Sequence, residues 1–353
     1  MTALRAGLTG GALTVLAAGA ALGLAAERYA VGQRRLRSDG VDQFLALPAD
    51  RTSSVLASDG VALHVEEVGP REAALTVVFV HGYVNELAVW HFQRTALGSD
   101  NPGRLVFYDQ RSHGRSGRSA AERSTIDQLG HDLHSVLDQV VPTGRIVLVG
   151  HSMGGMTIMA LADHYPELFG PRVTGVALLS TSTGKLASIT FGLPAAVSRV
   201  GRTLLPLLTW GLRRHPLPFE TARRLGSDLS YLLTRREAFG DAGVSPSIVD
   251  FVQTMTGRVP LDVIAEFYDT FTSHDKLRAL AVLGRVPTLV LVGSDDVVTP
   301  PSHSRAMAEA VPTASLVIVE GAGHMVMLER AALVTMQLRA LLSRAARARS
   351  RSA

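Results

Sequence analysis

Three short stretches of this chain hold side chains that could act on one another. Val147-Leu148-Val149-Gly150-His151-Ser152-Met153-Gly154-Gly155 sets a serine in the pattern G-x-S-x-G. Val292-Gly293-Ser294-Asp295-Asp296-Val297-Val298-Thr299-Pro300 carries two carboxylates, and Glu320-Gly321-Ala322-Gly323-His324 ends on a histidine. A serine hydroxyl is a weak nucleophile at neutral pH. It needs a base to take its proton and an acid to orient that base. Ser152, Asp295 or Asp296, and His324 supply those types in the order Ser, Asp, His. The chemistry they suit is two-step acyl transfer. The proton of Ser152 passes to His324, the oxygen attacks a carbonyl, and water then releases the acid.

That chemistry demands particular elements around each residue. Val147–Gly150 reads as the end of a strand and Met153–Tyr165 as a helix, so Ser152 falls on the turn between them. A tight, strained turn there projects the hydroxyl from the sheet edge. Gly150 and Gly154 leave room where a Cβ would clash. The following helix aims its positive end at a developing oxyanion.

The rest of the chain alternates in the same way. Ser53–Ser58 and Val61–Val68 flank Asp59-Gly60, a hairpin signal. Short, nearly continuous apolar runs follow at Leu75–Val80, Arg104–Asp109, Arg145–Gly150, Val173–Ser180, Thr288–Gly293 and Ser315–Glu320. Runs apolar on both faces suit central parallel strands covered by helices. Thr125–Val140, with Ser124 or Thr125 as cap, and Pro301–Ala310 read as helices between them. The order predicts an α/β fold with a mostly parallel sheet, its acid and base on loops at strand C-terminal ends. Between Ser182 and Arg285 no good strand occurs. Helical stretches such as Ala195–Leu208, Phe219–Leu233 and Pro246–Met255 predict a helical cap inserted there.

Composition excludes several other classes. The 353 residues are 46% hydrophobic and 19% charged, too apolar for a disordered chain. With no cysteine there is no disulfide framework, thiolate metal site or cysteine nucleophile. The net charge of +4 is mild, and Lys185 and Lys276 are the only lysines among 35 basic residues. The basic stretch Arg339–Arg351 lacks interleaved aromatics, so it predicts a solvated helix end and no nucleic-acid partner. His131 and His134 share a helix face without a third ligand, so no metal site is expected.

Residues 6–26 carry no charge and, as a helix, would span about 31 Å. Eight alanines and five glycines make insertion marginal. A single membrane anchor, a cleaved signal peptide and a packed helix all fit the stretch. Arg28, Arg34, Arg35 and Arg37 follow it, and the positive-inside bias would then put the domain on the cytoplasmic side. Signal cleavage would instead give a secreted protein. The expected organisation is an N-terminal segment over 1–40, a core over 41–182 and 286–345, a cap over 183–285 and a basic tail over 346–353.

Over Ser53–Leu342 the chain resembles serine α/β-hydrolases with a helical cap, most closely the monoacylglycerol lipase, esterase and lysophospholipase-like branch. The resemblance implies the α/β-hydrolase fold, with the cap between strands 6 and 7. It implies Ser152 as nucleophile and His324 as base. The acid stands three after Gly293 and four before Pro300, which selects Asp296 over Asp295. The absence of a carboxylate in Ser180-Thr181-Ser182-Thr183-Gly184 agrees. His81-Gly82-Tyr83 matches the oxyanion loop, whose donors would be the main-chain N–H groups of Tyr83 and Met153. Trp90 falls where the family often places a tryptophan. Asp109–Ser116 matches an architectural loop, with Ser112 where glycine is usual. The resemblance implies no cofactor and a small hydrophobic ester as substrate, in keeping with apolar cap residues such as Leu204, Leu205, Leu207, Leu208 and Trp210. Perhydrolases or haloperoxidases, C–C bond hydrolases, acyltransferases and hydrolase-fold receptors share the same framework. A serine at 152 speaks against epoxide hydrolases and haloalkane dehalogenases, whose nucleophile is aspartate.

Overall fold

The computed structural model describes Phe44 and residues 47–100, 103–184 and 227–348. The hydrophobic segment 6–26, the stretch Ala195–Leu208, the apolar residues 204–210, most of Phe219–Leu233 and residues 349–353 lie outside the described residues. Among the described residues no helix is long and apolar enough to cross a membrane.

Eight strands form one sheet: β1 Arg51–Leu56, β2 Ala62–Val68, β3 Leu75–Val80, β4 Arg104–Tyr108, β5 Arg145–His151, β6 Val173–Leu179, β7 Thr288–Gly293 and β8 Ser315–Val319. Their order is β1-β2-β4-β3-β5-β6-β7-β8. The β1–β2 hairpin turns at Asp59-Gly60 and β2 lies antiparallel to β4, while β3 to β8 all run parallel. Every residue of β4 and β7 is buried, as strands covered on both faces require.

Alternate residues build two cores. Val77, Phe79, Val147, Val149, Leu289 and Leu291 face one side. Val78, Val80, Ile146, Leu148, Val176 and Val290 face the other. The covering helices are α1 His91–Asp100, α2 Ile126–Val140, α3 Met153–His164, α7 Leu280–Leu283, α8 Pro301–Ala310, α9 Val326–Glu329 and α10 Ala331–Ala348. Thr125 caps α2, its hydroxyl accepting from Gln128 N at 3.1 Å.

Between β6 and β7 the described residues form α4 Ser227–Ala238, α5 Pro246–Arg258 and α6 Leu261–Ser273. Helix α6 adds to the helical stretches expected of the cap, and its Val263, Ile264, Phe267 and Phe271 keep the three-and-four spacing of an amphipathic helix. Tertiary packing turns them into one wall. Val259, Val263 and Phe267 join Met153, Met156, Ile126 and Leu129 in a third apolar cluster that seats the cap on α2 and α3. Helix α10 differs from the solvated end expected at Arg339. Leu338, Leu341, Leu342 and Ala345 are buried at helical spacing, and the helix continues past residue 345 to Ala348. The basic stretch is therefore two-faced over its described part. Its apolar face completes the core while Arg339 reaches Asp100 and Arg344 reaches Ser315.

Candidate active site

Because β3, β5, β7 and β8 run parallel, the residues that follow them emerge on the same edge of the sheet. Those residues include Tyr83, Ser152, Asp296 and His324. Ser152 sits at φ 51° and ψ −119°, a conformation that costs a non-glycine residue roughly 1–3 kcal/mol. The turn is braced from three directions. Ser152 N donates to Leu179 O at 2.9 Å, Gly155 N donates to Ser152 O at 2.9 Å, and Thr181 Oγ1 donates to Ser152 O at 2.7 Å. A Cβ at Gly154 would stand 2.1 Å from Val80 O, so only glycine lets the elbow close on β3. Thr181 is a brace that sequence reading does not single out; its role depends on a residue 29 positions away.

Asp296 and His324 meet. His324 Nδ1 lies 3.0 Å from Asp296 Oδ2 and 3.1 Å from Oδ1. The carboxylate also accepts from Val298 N at 2.9 Å, Thr299 N at 2.8 Å and Thr299 Oγ1 at 2.9 Å. Burial pushes this carboxyl up. The adjacent His324 ring and the bonds from His324 and Thr299 outweigh burial and hold it below the ordinary carboxylate range. An ionised Asp296 makes Nδ1 of His324 the protonated nitrogen and leaves Nε2 as the basic one. Asp295 is exposed, and among the described residues its carboxylate takes the Ser294 hydroxyl alone, at 3.1 Å. Residue types and order alone leave that pair of aspartates open; burial separates them.

Ser152 and His324 approach through their neighbours. The rings of His151 and His324 are 4.8 Å apart, and His151 Nε2 donates to His324 O at 3.0 Å. Among the described residues, Ser152 Oγ and His324 Nε2 carry no hydrogen bond.

The expected oxyanion donors flank the serine. A Cβ on Gly82 would lie 3.2 Å from Ser152 Cβ, which places the 81–83 loop against Ser152. Met153 begins α3, so its N–H has no helical partner. Among the described residues the main-chain N–H groups of Tyr83 and Met153 make no hydrogen bond. Val84 holds φ 53°, an outlier for a β-branched residue. The loop is pinned by Asn85 Nδ2 donating to Tyr83 O at 3.0 Å and by Leu87 N donating to Asp109 Oδ1 at 2.7 Å. Above it, Tyr83 Oη donates to Ile264 O on α6 at 2.5 Å.

Three more histidines surround this edge, all fully buried and held neutral. Burial lowers His81 to about 4, against an opposing hydrogen bond to Gly82. Burial, with the neighbouring His81, lowers His113 to about 3. Burial, with the neighbouring His324, lowers His151 to about 3. His81 is clamped between Gly82 O, at 2.7 Å, and the Gln110 N–H, at 2.9 Å. These rings are scaffold.

The loop over residues 109–116 is scaffold as well. Asp109 takes the N–H groups of Leu87 and Arg115, and Ser112 stands at φ 63°. That left-handed angle explains why glycine is the usual residue there. Trp90 is fully buried against Phe79, with ring centroids 5.2 Å apart. His131 and His134 are occupied by Tyr165, one through Nδ1 at 2.8 Å from its hydroxyl and the other by stacking. Asp127, Asp163 and His164 do gather on the surface. There Lys276 Nζ lies 2.6 Å from both aspartates and offsets part of their charge.

A mostly parallel eight-stranded sheet, helices on both faces and a helical layer between β6 and β7 define an α/β hydrolase. The chain belongs to the alpha/beta hydrolase family, whose pattern matches residues 77–336. It is 28% identical over 297 residues to the dihydrolipoyllysine-residue acetyltransferase component of the acetoin cleaving system of Pseudomonas putida, covering 81% of this chain and 70% of that one. It is 26% identical over 253 residues to the sn-1-specific diacylglycerol lipase ABHD11 of Mus musculus, covering 71% and 75%. A thermophilic esterase from Thermogutta terrifontis superposes with TM-score 0.65 at 23% identity, over 84% of this chain and 99% of that one. An enol-lactonase from Burkholderia xenovorans LB400 does so with TM-score 0.63 at 24% identity, over 82% and 100%. At these identities the structural likenesses speak to the fold alone.

Proposed function

We propose that this protein cleaves carboxylic ester bonds of a small hydrophobic, lipid-like substrate, with Ser152 as nucleophile, His324 as base and Asp296 as orienting acid. The observation that carries the reading is the buried pairing of His324 Nδ1 with an ionised Asp296 at 3.0 Å, beside a strained serine turn. In the forward step the Ser152 proton moves to His324 Nε2 and Oγ bonds to the carbonyl carbon. The carbonyl oxygen takes the negative charge opposite the N–H groups of Tyr83 and Met153. Each such donor is worth about 10²–10³ in rate. His324 then protonates the departing alcohol. A water, deprotonated by His324, attacks the acyl carbon, and the proton returns to Ser152 as the acid leaves.

Tyr83 meets Phe267 and Phe271 of α6 at ring distances of 6.3 and 5.0 Å, and Val259, Val263 and Phe267 pack on Met153 and Met156. The likeness to a diacylglycerol lipase supports an apolar, lipid-like substrate. The test is a fluorophosphonate probe and a p-nitrophenyl ester series. Wild type is expected to label at Ser152 and to hydrolyse, with Ser152→Ala silent in both. A wild type inert to the probe and to every ester sinks the reading. Attachment to a membrane through residues 6–26 is also proposed, on the sequence alone. Recovery of the full chain in the soluble fraction after cell lysis would refute it.

A further inference from the structure

Glu329 ends the short helix α9, five residues beyond His324. Its carboxylate collects three main-chain N–H groups. Oε1 accepts from Asp241 N at 2.6 Å, while Oε2 accepts from Gly323 N at 2.8 Å and Gly240 N at 3.3 Å. Gly323 immediately precedes His324. Met325, immediately after it, donates its N–H to Ala238 O at 2.8 Å. The histidine is thus held on both sides by the segment that closes α4, directly through Ala238 and through the Glu329 carboxylate at residues 240 and 241.

The two backbones touch with no slack. A Cβ on Gly323 would lie 2.5 Å from Gly240 N, and a Cβ on Gly240 would lie 2.7 Å from Ala322 C. Neither loop belongs to a strand or helix at these positions, so their N–H groups have no ladder partner and need an acceptor. One carboxylate serves both loops, which makes it the shared fastening. Arg330 adds a lesser tie, from Nη2 to Asp241 Oδ2 at 3.2 Å and to Gly321 O at 3.1 Å.

We infer that Glu329 is a positioning residue for His324, fastening the base loop to the 238–241 segment of the cap layer. The inference rests on the ester-hydrolase reading for what His324 does. A base displaced by about 1 Å costs on the order of 10²-fold in rate. The substitution leaves Ser152 and the 81–83 loop in place, so the loss is expected in kcat rather than in KM.

The experiment uses the full chain, p-nitrophenyl butyrate turnover, fluorophosphonate labelling of Ser152 and hydrogen exchange of the peptide covering residues 320–328. Glu329→Ala is expected to lower kcat about 10²-fold with KM within about threefold, and to speed exchange of the 320–328 peptide. Glu329→Gln keeps one acceptor oxygen and is expected to recover part of both. Rates are expressed per folded molecule, from the far-ultraviolet circular dichroism melt, so that simple unfolding does not imitate the effect. Unchanged exchange, or a kcat within twofold of wild type, overturns the inference while leaving the ester reading intact. A wild type without labelling or turnover overturns the ester reading and with it the role of Glu329 toward a base. Faster exchange in Glu329→Ala would then mark a structural clasp only.

Discussion

Two clusters built around buried polar side chains look alike in this molecule and are spent differently. One is Asp296 with His324; the other is Arg111 with Asp132 and Asp59. In the second, Arg111 Nε and Nη2 meet Asp132 at 2.6 Å each, and Nη1 and Nη2 meet Asp59 at 2.8 and 3.1 Å. Ser119 Oγ takes a further bond from Nη1 at 2.9 Å. Every guanidinium nitrogen is used, and the backbone around Arg111 is tied to α2 and to the β1–β2 turn. At the first cluster the outer atoms are unspent. Ser152 Oγ, His324 Nε2 and the N–H groups of Tyr83 and Met153 have no hydrogen-bond partner among the described residues. Burial and pairing therefore do not distinguish a site from a scaffold here. What sets the first cluster apart is the set of unused donors and acceptors that converge beside it on one sheet edge, since strained backbone occurs at both, at Ser152 and at Ser112.

That contrast can be broken by experiment. The largest effect expected is from Ser152→Ala, about 10⁶-fold in kcat with the melting temperature nearly unchanged. A comparable rate in the alanine variant would move the chemistry elsewhere. Next comes the acid: Asp296→Asn should lose about 10⁴-fold in kcat, and Asp295→Asn should stay within about twofold. The reverse ranking would reassign the acid. In the scaffold cluster, Arg111→Met strands a fully buried Asp132, and its loss should read as about 3–5 kcal/mol in urea unfolding. Activity per folded molecule should persist; if it vanishes, the cluster is part of the site.

Acid separates the clusters from the buried rings. His81, His113 and His151 are lowered to about 4, 3 and 3 in the fold, but take a proton near 6.5 when unfolded. The unfolded state binds more protons between about pH 6.5 and 4, so stability must fall as pH drops through that window. Above pH 6.5 these three contribute no slope. Urea midpoints at pH 7.5, 6 and 4.5 check this, and a flat profile would mean the rings are not buried neutral. The smallest effect is Thr125→Ala, about 1 kcal/mol from the lost cap of α2, with kcat unchanged.

Much of this arrangement is legible in the sequence. Strands β3 and β7 and helix α8 match the expected spans to the residue, because doubly buried parallel strands are written as continuous β-branched runs bounded by turn residues. The elbow is legible for a similar reason: strand, glycine, serine, glycine and helix are contiguous, so the chain encodes the geometry locally. The apolar faces of α6 and α10 also keep helical spacing, but which neighbour covers each of them is not legible.

The sequence by itself determined the alternation of strands and helices, the serine on its turn and the presence of Asp296 and His324 in loops after strands. It did so because those features depend on residues within a few positions of each other. Tertiary structure decided the rest. It chose burial for Asp296 and exposure for Asp295, set Thr181 under the serine from 29 positions away, and paired Arg111 with Asp59 across 52. It also gathered the N–H groups of residues 240, 241 and 323 on Glu329. Contacts of that span are selected by how layers pack, and no local pattern of residues specifies them.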